Sequence, residues 1–208
     1  MAIDDDFLKH SEPEPLSAVE RRIRDGDLLL CSGNDPFSRL IGWSTSSPWT
    51  HIALAYRWPR LGRIMVFEAV QTIGVRTVPI ARFLSQSSTG QKPYPGKIIL
   101  ARHDDFSEKN GAHGAALERL VHFAVDHLGD RFAGTEIMKI AARIMLGRLG
   151  GKMPKALGPK NEFICSEYVA KCFEAIGVEV FWDGLGFIAP ADFARDPKTR
   201  AIARFRTN

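Results

Sequence analysis

Between Asp27 and Arg102 the chain runs in short apolar stretches of strand length separated by turn residues, and beyond residue 112 the apolar positions return at helical spacing. DLLLCS, entered from the turn Asp25-Gly26-Asp27, reads as a short buried strand. THIALAY alternates with period two, with Ile52, Leu54 and Tyr56 on one face and His51, Ala53 and Ala55 on the other. RIMVFEAV, 63–70, comes after the turn-like WPRLG, which predicts an antiparallel partner for the strand before it. GVRTVPI and KIILAR, 97–102, add two more strands.

The helical half begins with Leu117, Leu120, Val121, Ala124, Val125 and Leu128, closed by Gly129 as a stop signal. Residues 135–149 repeat the pattern through Ile137, Ile140, Ala141, Ile144 and Met145, with Lys139, Arg143, Arg148 and Lys152 among or just after them. A Gly/Pro-rich link then leads to EFICSEYVAKCFEAIGV, 162–178, an amphipathic helix with Cys165 near its start. Ser17 followed by Glu20 matches a capping box and predicts a short helix over 17–24. GNDPFSRLIGWSTSSPW, 33–49, is turn-rich and reads as a long surface loop. Strands first and helices later indicate an α+β fold. Residues 1–16, with Asp4 to Asp6 and the Glu-Pro pairs, read as a flexible, solvated acidic arm, leaving 17–208 as one domain with a helical, basic insertion at about 130–160.

Composition narrows the classes. The 208 residues suffice for a real core, and 45% hydrophobic with 25% charged residues is ordinary for a globular chain. The net charge of +4 is mild and the 28 basic residues are scattered, so nucleic acid is not the expected partner. The acidic N-terminus has no apolar signal region and no apolar run approaches the ~18 residues of a spanning helix, so the expected location is cytoplasmic. Cys31, Cys165 and Cys172 form neither an even disulfide set nor a CxxC pair, and a reducing compartment would leave a reactive thiol free.

A helix start presents unpaired backbone N–H groups and partial positive charge, which stabilise a thiolate. Cys165 therefore fits a nucleophile, while the helix alone favours a small buried residue in the stripe of Val169, Cys172, Phe173 and Ile176. His51 sits on a strand face with Ala53 and Ala55, small enough to let that helix pack close and bring its first turn to the imidazole. A structural histidine is the other reading. Glu68 stands between Val66 and Val70 on one strand face, where a carboxylate is unusual unless paired. It suits the group that orients an imidazole, or an exposed charge on a strand edge.

The order GDLLL, THIALAY, VFEAV, FICSEYVAKCFEAIGV, APADF resembles the permuted NlpC-type cysteine peptidases of the YiiX/YebB-like group, over roughly residues 25–193. The resemblance implies a circularly permuted papain-like domain, a small antiparallel sheet or barrel packed against helices, with histidine preceding cysteine in sequence. It places the nucleophile on Cys165, the base on His51 and the orienting group on Glu68. Similar sequences often carry a tyrosine and an aspartate shortly after the first long helix. This chain has Gly129-Asp130-Arg131-Phe132-Ala133 there, so no phenol stands at that point. Trp49, Thr50, Ser166 and Tyr168, which neighbour His51 and Cys165, are the expected substrate contacts.

Other chemistries fail on spacing. LGRLGGKM lacks the upstream glycine of a phosphate loop and has Met153 where Ser or Thr is needed. His113, His122 and His127 sit at spacings that do not converge on one metal, and no GxSxG elbow surrounds serines 44–47. Neither cofactor nor metal is expected. The expected activity is thiol-dependent hydrolysis of an amide in a small peptide, such as a cell-wall-type fragment, through an acyl-enzyme. Two alternatives stay open: a thiol acyltransferase or esterase acting on lipids, of the lecithin:retinol acyltransferase type, and a non-catalytic ligand-binding module. A membrane-surface role for 135–152 would favour the acyltransferase; a helix packed on the domain with a basic face toward the cleft is the favoured reading, because its stripe lacks Trp and Phe.

Overall fold

The computed structural model describes residues 3, 5–34, 36–85, 94, 96–108, 114–134, 162–182 and 187–207. In chain order its elements are α1 (Asp5–His10), β1 (Pro13–Glu14), α2 (Leu16–Val19), β2 (Leu28–Cys31), α3 (Pro36–Thr45) and β3 (His51–Trp58). Next come β4 (Arg63–Val70), β5 (Gly74–Pro79), α4 (Ile80–Ser85), β6 (Ile98–His103), α5 (Asp104–Glu108) and α6 (Ala115–Asp126). The last are β7 (Arg131–Phe132), β8 (Glu162–Phe163), α7 (Cys165–Glu174), α8 (Pro190–Arg195) and β9 (Thr199–Phe205). Seven strands form one open sheet in the order β1-β9-β6-β2-β3-β4-β5, and β7 and β8 pair separately.

Every residue of β2 is buried, because it lies at the centre of a sheet covered on both sides. One face carries Leu28, Leu30, Ile52, Leu54, Phe67, Ala69 and Ile99, packed with Leu120 and Ala124 of α6 and with Tyr168, Val169, Cys172 and Phe173 of α7. The other face carries Leu29, Cys31, Ala53, Ala55, Val66 and Leu100, and is covered by Val19, Ile23 and the α4 residues Ile80, Phe83 and Leu84. The strands β2 to β5 are antiparallel neighbours, with Cys31 opposite His51, Leu54 opposite Phe67 and Glu68 opposite Arg76. The free edge of β5 is covered where α6 ends: Val75 N–H donates to Asp130 O and Gly129 N–H to Val75 O, both at 2.9 Å. Gly74 permits that approach, since a Cβ there would lie 2.1 Å from the Asp130 oxygen.

The α+β architecture agrees with the sequence, and several details differ. The sheet has seven strands and two edges, so it is no barrel. Among residues 1–16, read as a solvated arm, Ile3 and Leu8 are buried and Pro13–Glu14 pairs with Arg204–Phe205. The Ile3 carbonyl also accepts the indole N–H of Trp49. The acidic letters hide three apolar residues, Ile3, Phe7 and Leu8, that dock on the core, and a proline-flanked extended segment suits a sheet edge.

The stretch read as a surface loop over 33–49 contains α3. Pro36 occupies its first position, and the hydroxyls of Ser44 and Thr45 return to the Ile41 carbonyl instead of breaking the helix. Over 17–24 the helix is shorter than read, Leu16–Val19 with one 3-10 turn, and its N-cap is Pro15 rather than Ser17. β9 gives no strand signal in the sequence, because Arg200 and Arg204 interrupt its apolar pattern. The basic segment 135–152 lies outside the described residues. Among the described residues no helix is long and apolar enough to cross a membrane.

Asp27 and Arg102, both buried, tie β6 to the start of β2. The guanidinium bridges both carboxylate oxygens, Nε to Oδ1 at 2.7 Å and Nη2 to Oδ2 at 2.8 Å, while Arg24 N–H donates to Oδ2 at 2.7 Å. Removing one partner of such a pair leaves a buried charge uncompensated. Arg102→Leu is therefore expected to lower stability by about 3–5 kcal/mol in urea denaturation. Arg200→Ala, which breaks an exposed pair with Asp104, should lower it by less than about 1 kcal/mol. Equal effects would refute the structural weight given to Asp27–Arg102.

Candidate active site

His51 opens β3, and its Nε2 lies 2.8 Å from Glu68 Oε2. Glu68 is buried on β4 with only 2% of its surface exposed. Its other oxygen, Oε1, accepts Nε and Nη2 of Arg76 at 2.8 and 2.7 Å. By strand alternation His51, Glu68 and Arg76 share the sheet face that carries Ala53 and Val66, one residue on each of three adjacent strands.

Cys165 is the first residue of α7, whose apolar side packs on the opposite sheet face, against Ile52, Leu54 and Phe67. This corrects the packing inferred from the small side chains of Ala53 and Ala55, which face the second core instead. The thiol and imidazole meet because both occupy element ends. His51 is the first residue of its strand and Cys165 the first of its helix, and their side chains hydrogen-bond to each other. Nε2 is engaged by Glu68, which leaves Nδ1 as the ring nitrogen open to the thiol.

Two backbone groups also hydrogen-bond the sulfur, those of Ile52 and Ser166. Ile52 precedes the β3–β4 ladder, which begins at Leu54 opposite Phe67, so strand pairing with β4 does not consume its amide. At the helix start the N-cap is Ile164, extended and with no side-chain cap, which leaves the first helical N–H groups to the thiol.

The charges follow from these contacts. Burial alone would raise the Cys165 thiol, and the charge and hydrogen bond of His51, with the two backbone bonds, bring it below the ordinary value. Burial alone would lower His51, and the Cys165 sulfur and the Glu68 carboxylate outweigh it and push the imidazole up. Burial alone would raise Glu68, and His51 and Arg76 hold it below the usual carboxylate range. The site thus favours a thiolate–imidazolium pair. Cys31 and Cys172 contrast with it, since burial pushes both thiols up.

The four residues read as substrate contacts lie in the interior with their polar atoms bound to the protein. Trp49 is fully buried and donates to Ile3. Thr50 Oγ1 accepts Gly33 N–H at 2.8 Å, Ser166 donates to Ile188 O at 2.6 Å, and Tyr168 donates to Ala124 O at 2.8 Å. They brace the strand and helix that carry His51 and Cys165. The Ser166 bond reaches the segment leading into α8, where Asp192 of the APADF motif accepts Ala189 N–H at 2.7 Å and caps its own helix. Arg76 and the Ile52 backbone were not read from the sequence. A three-residue turn between VFEAV and GVRTVPI would have placed Arg76 opposite Glu68, as it is found; the backbone contact has no sequence signal.

Iodoacetamide is expected to modify Cys165 ahead of Cys31 and Cys172 at neutral pH, as peptide mapping after brief labelling would read. The rate at Cys165 should rise through a midpoint below the ~8.5 of a free thiol. His51→Ala should move that midpoint up by about 1–2 pH units. Equal labelling of the three thiols would sink the assignment of Cys165 as the reactive one.

No family model matches the chain, and no curated protein matches it. Among solved structures it resembles the crystal structure of the metalloprotein yiiX from Escherichia coli O157:H7, described as DUF1105, with a TM-score of 0.59 and 16% identity over 87% of this chain and 97% of that one. At that identity the likeness establishes a shared fold, the YiiX fold, and not a shared activity.

Proposed function

We propose that the protein is a cysteine hydrolase that cleaves an amide in a small peptide through a thioester acyl-enzyme, with Cys165 as nucleophile, His51 as base and Glu68 as its orienting partner. One observation carries this reading: Cys165 heads α7 in hydrogen-bonding contact with an imidazole whose far nitrogen is held by a buried carboxylate. A binding module has no use for a thiol poised in this way.

The steps follow from the geometry. Nδ1 of His51 takes the Cys165 proton, and the thiolate attacks the substrate carbonyl. The backbone N–H of Cys165, at the uncapped helix start, helps stabilise the oxyanion. His51 then protonates the leaving amine, and the acyl group remains on sulfur as a thioester. Water, deprotonated by His51, attacks the thioester and restores the free thiol. Glu68 keeps the imidazole in the orientation and tautomer that both proton transfers need. A phenol at the place held by Phe132 is not required for any of these steps.

The word metalloprotein belongs to yiiX, and the donor set here does not fit a metal. Both Glu68 oxygens are occupied, one by His51 and the other by the Arg76 cation, which would repel a bound ion. Among the described residues no group of three His, Cys, Asp or Glu side chains could hold one.

Activity should be read on a panel of small peptide amides and esters. Cys165→Ala is expected to abolish hydrolysis, and His51→Ala to lower it by about 10²-fold or more with the fold intact. Glu68→Gln should do less, since it keeps a hydrogen-bond acceptor. Intact mass spectrometry should find an acyl adduct on Cys165. Unchanged activity in His51→Ala would overturn the catalytic reading, and acyl transfer to an added amine in preference to water would favour the acyltransferase.

A further inference from the structure

We infer that Arg76 is a positioning residue of this site, acting through Glu68 to hold the Cys165–His51 pair in its reactive form. The inference rests on the proposed function for its catalytic meaning, and on geometry alone for its effect on the thiol. Glu68 and Arg76 face each other in strand register, so the backbone fixes their approach before any side chain turns. Two N–H groups of one guanidinium converge on Oε1. A carboxylate pinned at one oxygen by two donors cannot rotate about its terminal torsion, and its second oxygen stays aimed at His51.

Charge gives the second part of the role. A buried carboxylate with no cation beside it takes up a proton instead of staying ionised. With Arg76 in place the row reads cation, anion, cation, anion from Arg76 through Glu68 and His51 to Cys165, and its charges sum to zero. Among the described residues Cys31 on β2, opposite His51, also faces this row, with Tyr94 against it, and burial keeps it a neutral thiol. Arg76 is thus the member that offsets the negative charge of Glu68 without competing for His51.

Loss of Arg76 has one direction of effect at the thiol. If Glu68 takes up a proton, His51 loses its anionic partner, its protonated form becomes scarcer, and Cys165 loses the charge that stabilises its thiolate. If Glu68 stays ionised, its uncompensated field opposes the thiolate directly. In both cases the Cys165 titration moves up.

The test measures the pH dependence of iodoacetamide alkylation at Cys165, which needs no substrate. Arg76→Met should raise the midpoint by about one pH unit, which slows labelling on the acid side of the midpoint about tenfold. Arg76→Lys should shift it less, because it keeps the charge and loses the fork. In a Glu68→Gln background Arg76→Met should add nothing, the signature of action through Glu68. Circular dichroism and thermal melting identify variants that fail to fold, and Arg76→Lys then carries the test. An unchanged midpoint in a folded variant, or an equal shift with and without Glu68, would overturn the inference. Absence of hydrolysis in the parent with the alkylation shifts present would sink the proposed function and leave this inference standing.

Discussion

Burial of the central sheet on both faces sets the terms for everything polar inside the protein. A strand such as Leu28–Cys31, covered above and below, can hold a charge beside it only where a partner is built into a neighbouring strand or loop. Asp27 meets that condition with Arg102 at one end of β2. Two strands away, on β4, Glu68 meets it with His51 and Arg76. The two arrangements use similar chemistry to different effect. The first is closed, with both carboxylate oxygens on one guanidinium, and the second passes its charge along to a histidine that has a nitrogen to spare.

Helix α7 converts that spare nitrogen into a site. Its apolar stripe settles on the sheet face away from His51, so the helix body and the imidazole are separated by the sheet, and only their ends come together. A cysteine two turns later is buried in the helix–sheet contact, as Cys172 is, with its thiol pushed up by burial. Position along the helix, more than the chemistry of cysteine itself, separates the two thiols.

Much of this was legible in the chain. The strands from DLLLCS to KIILAR, the helix of Cys165 and the need for a partner at Glu68, between valines, all rest on periodicity, which local sequence carries. The packing of α7 is not fixed by small residues on a strand face, because Ala53 and Ala55 admit close approach by any element, and α2 and α4 occupy that face. The docking of Ile3 and Leu8, the pairing of Arg200 and Arg204 within β9 and the register that sets Arg76 against Glu68 depend on segments far apart or on turn length. The first two are tertiary facts of which a local pattern carries no trace, whereas the third was within reach of the three-residue turn between the two strands.

The pairing of β1 with β9 bears on the order in which the sheet closes. Pro13 faces Arg204 and Glu14 faces Phe205 in a parallel ladder, so two segments almost two hundred positions apart in numbering are neighbours in space. Bringing such distant segments together costs more loop-closure entropy than forming the hairpins β3–β4 and β4–β5, whose partners are nearly adjacent along the chain. The hairpins that carry His51, Glu68 and Arg76 can therefore assemble before this edge of the sheet is in place.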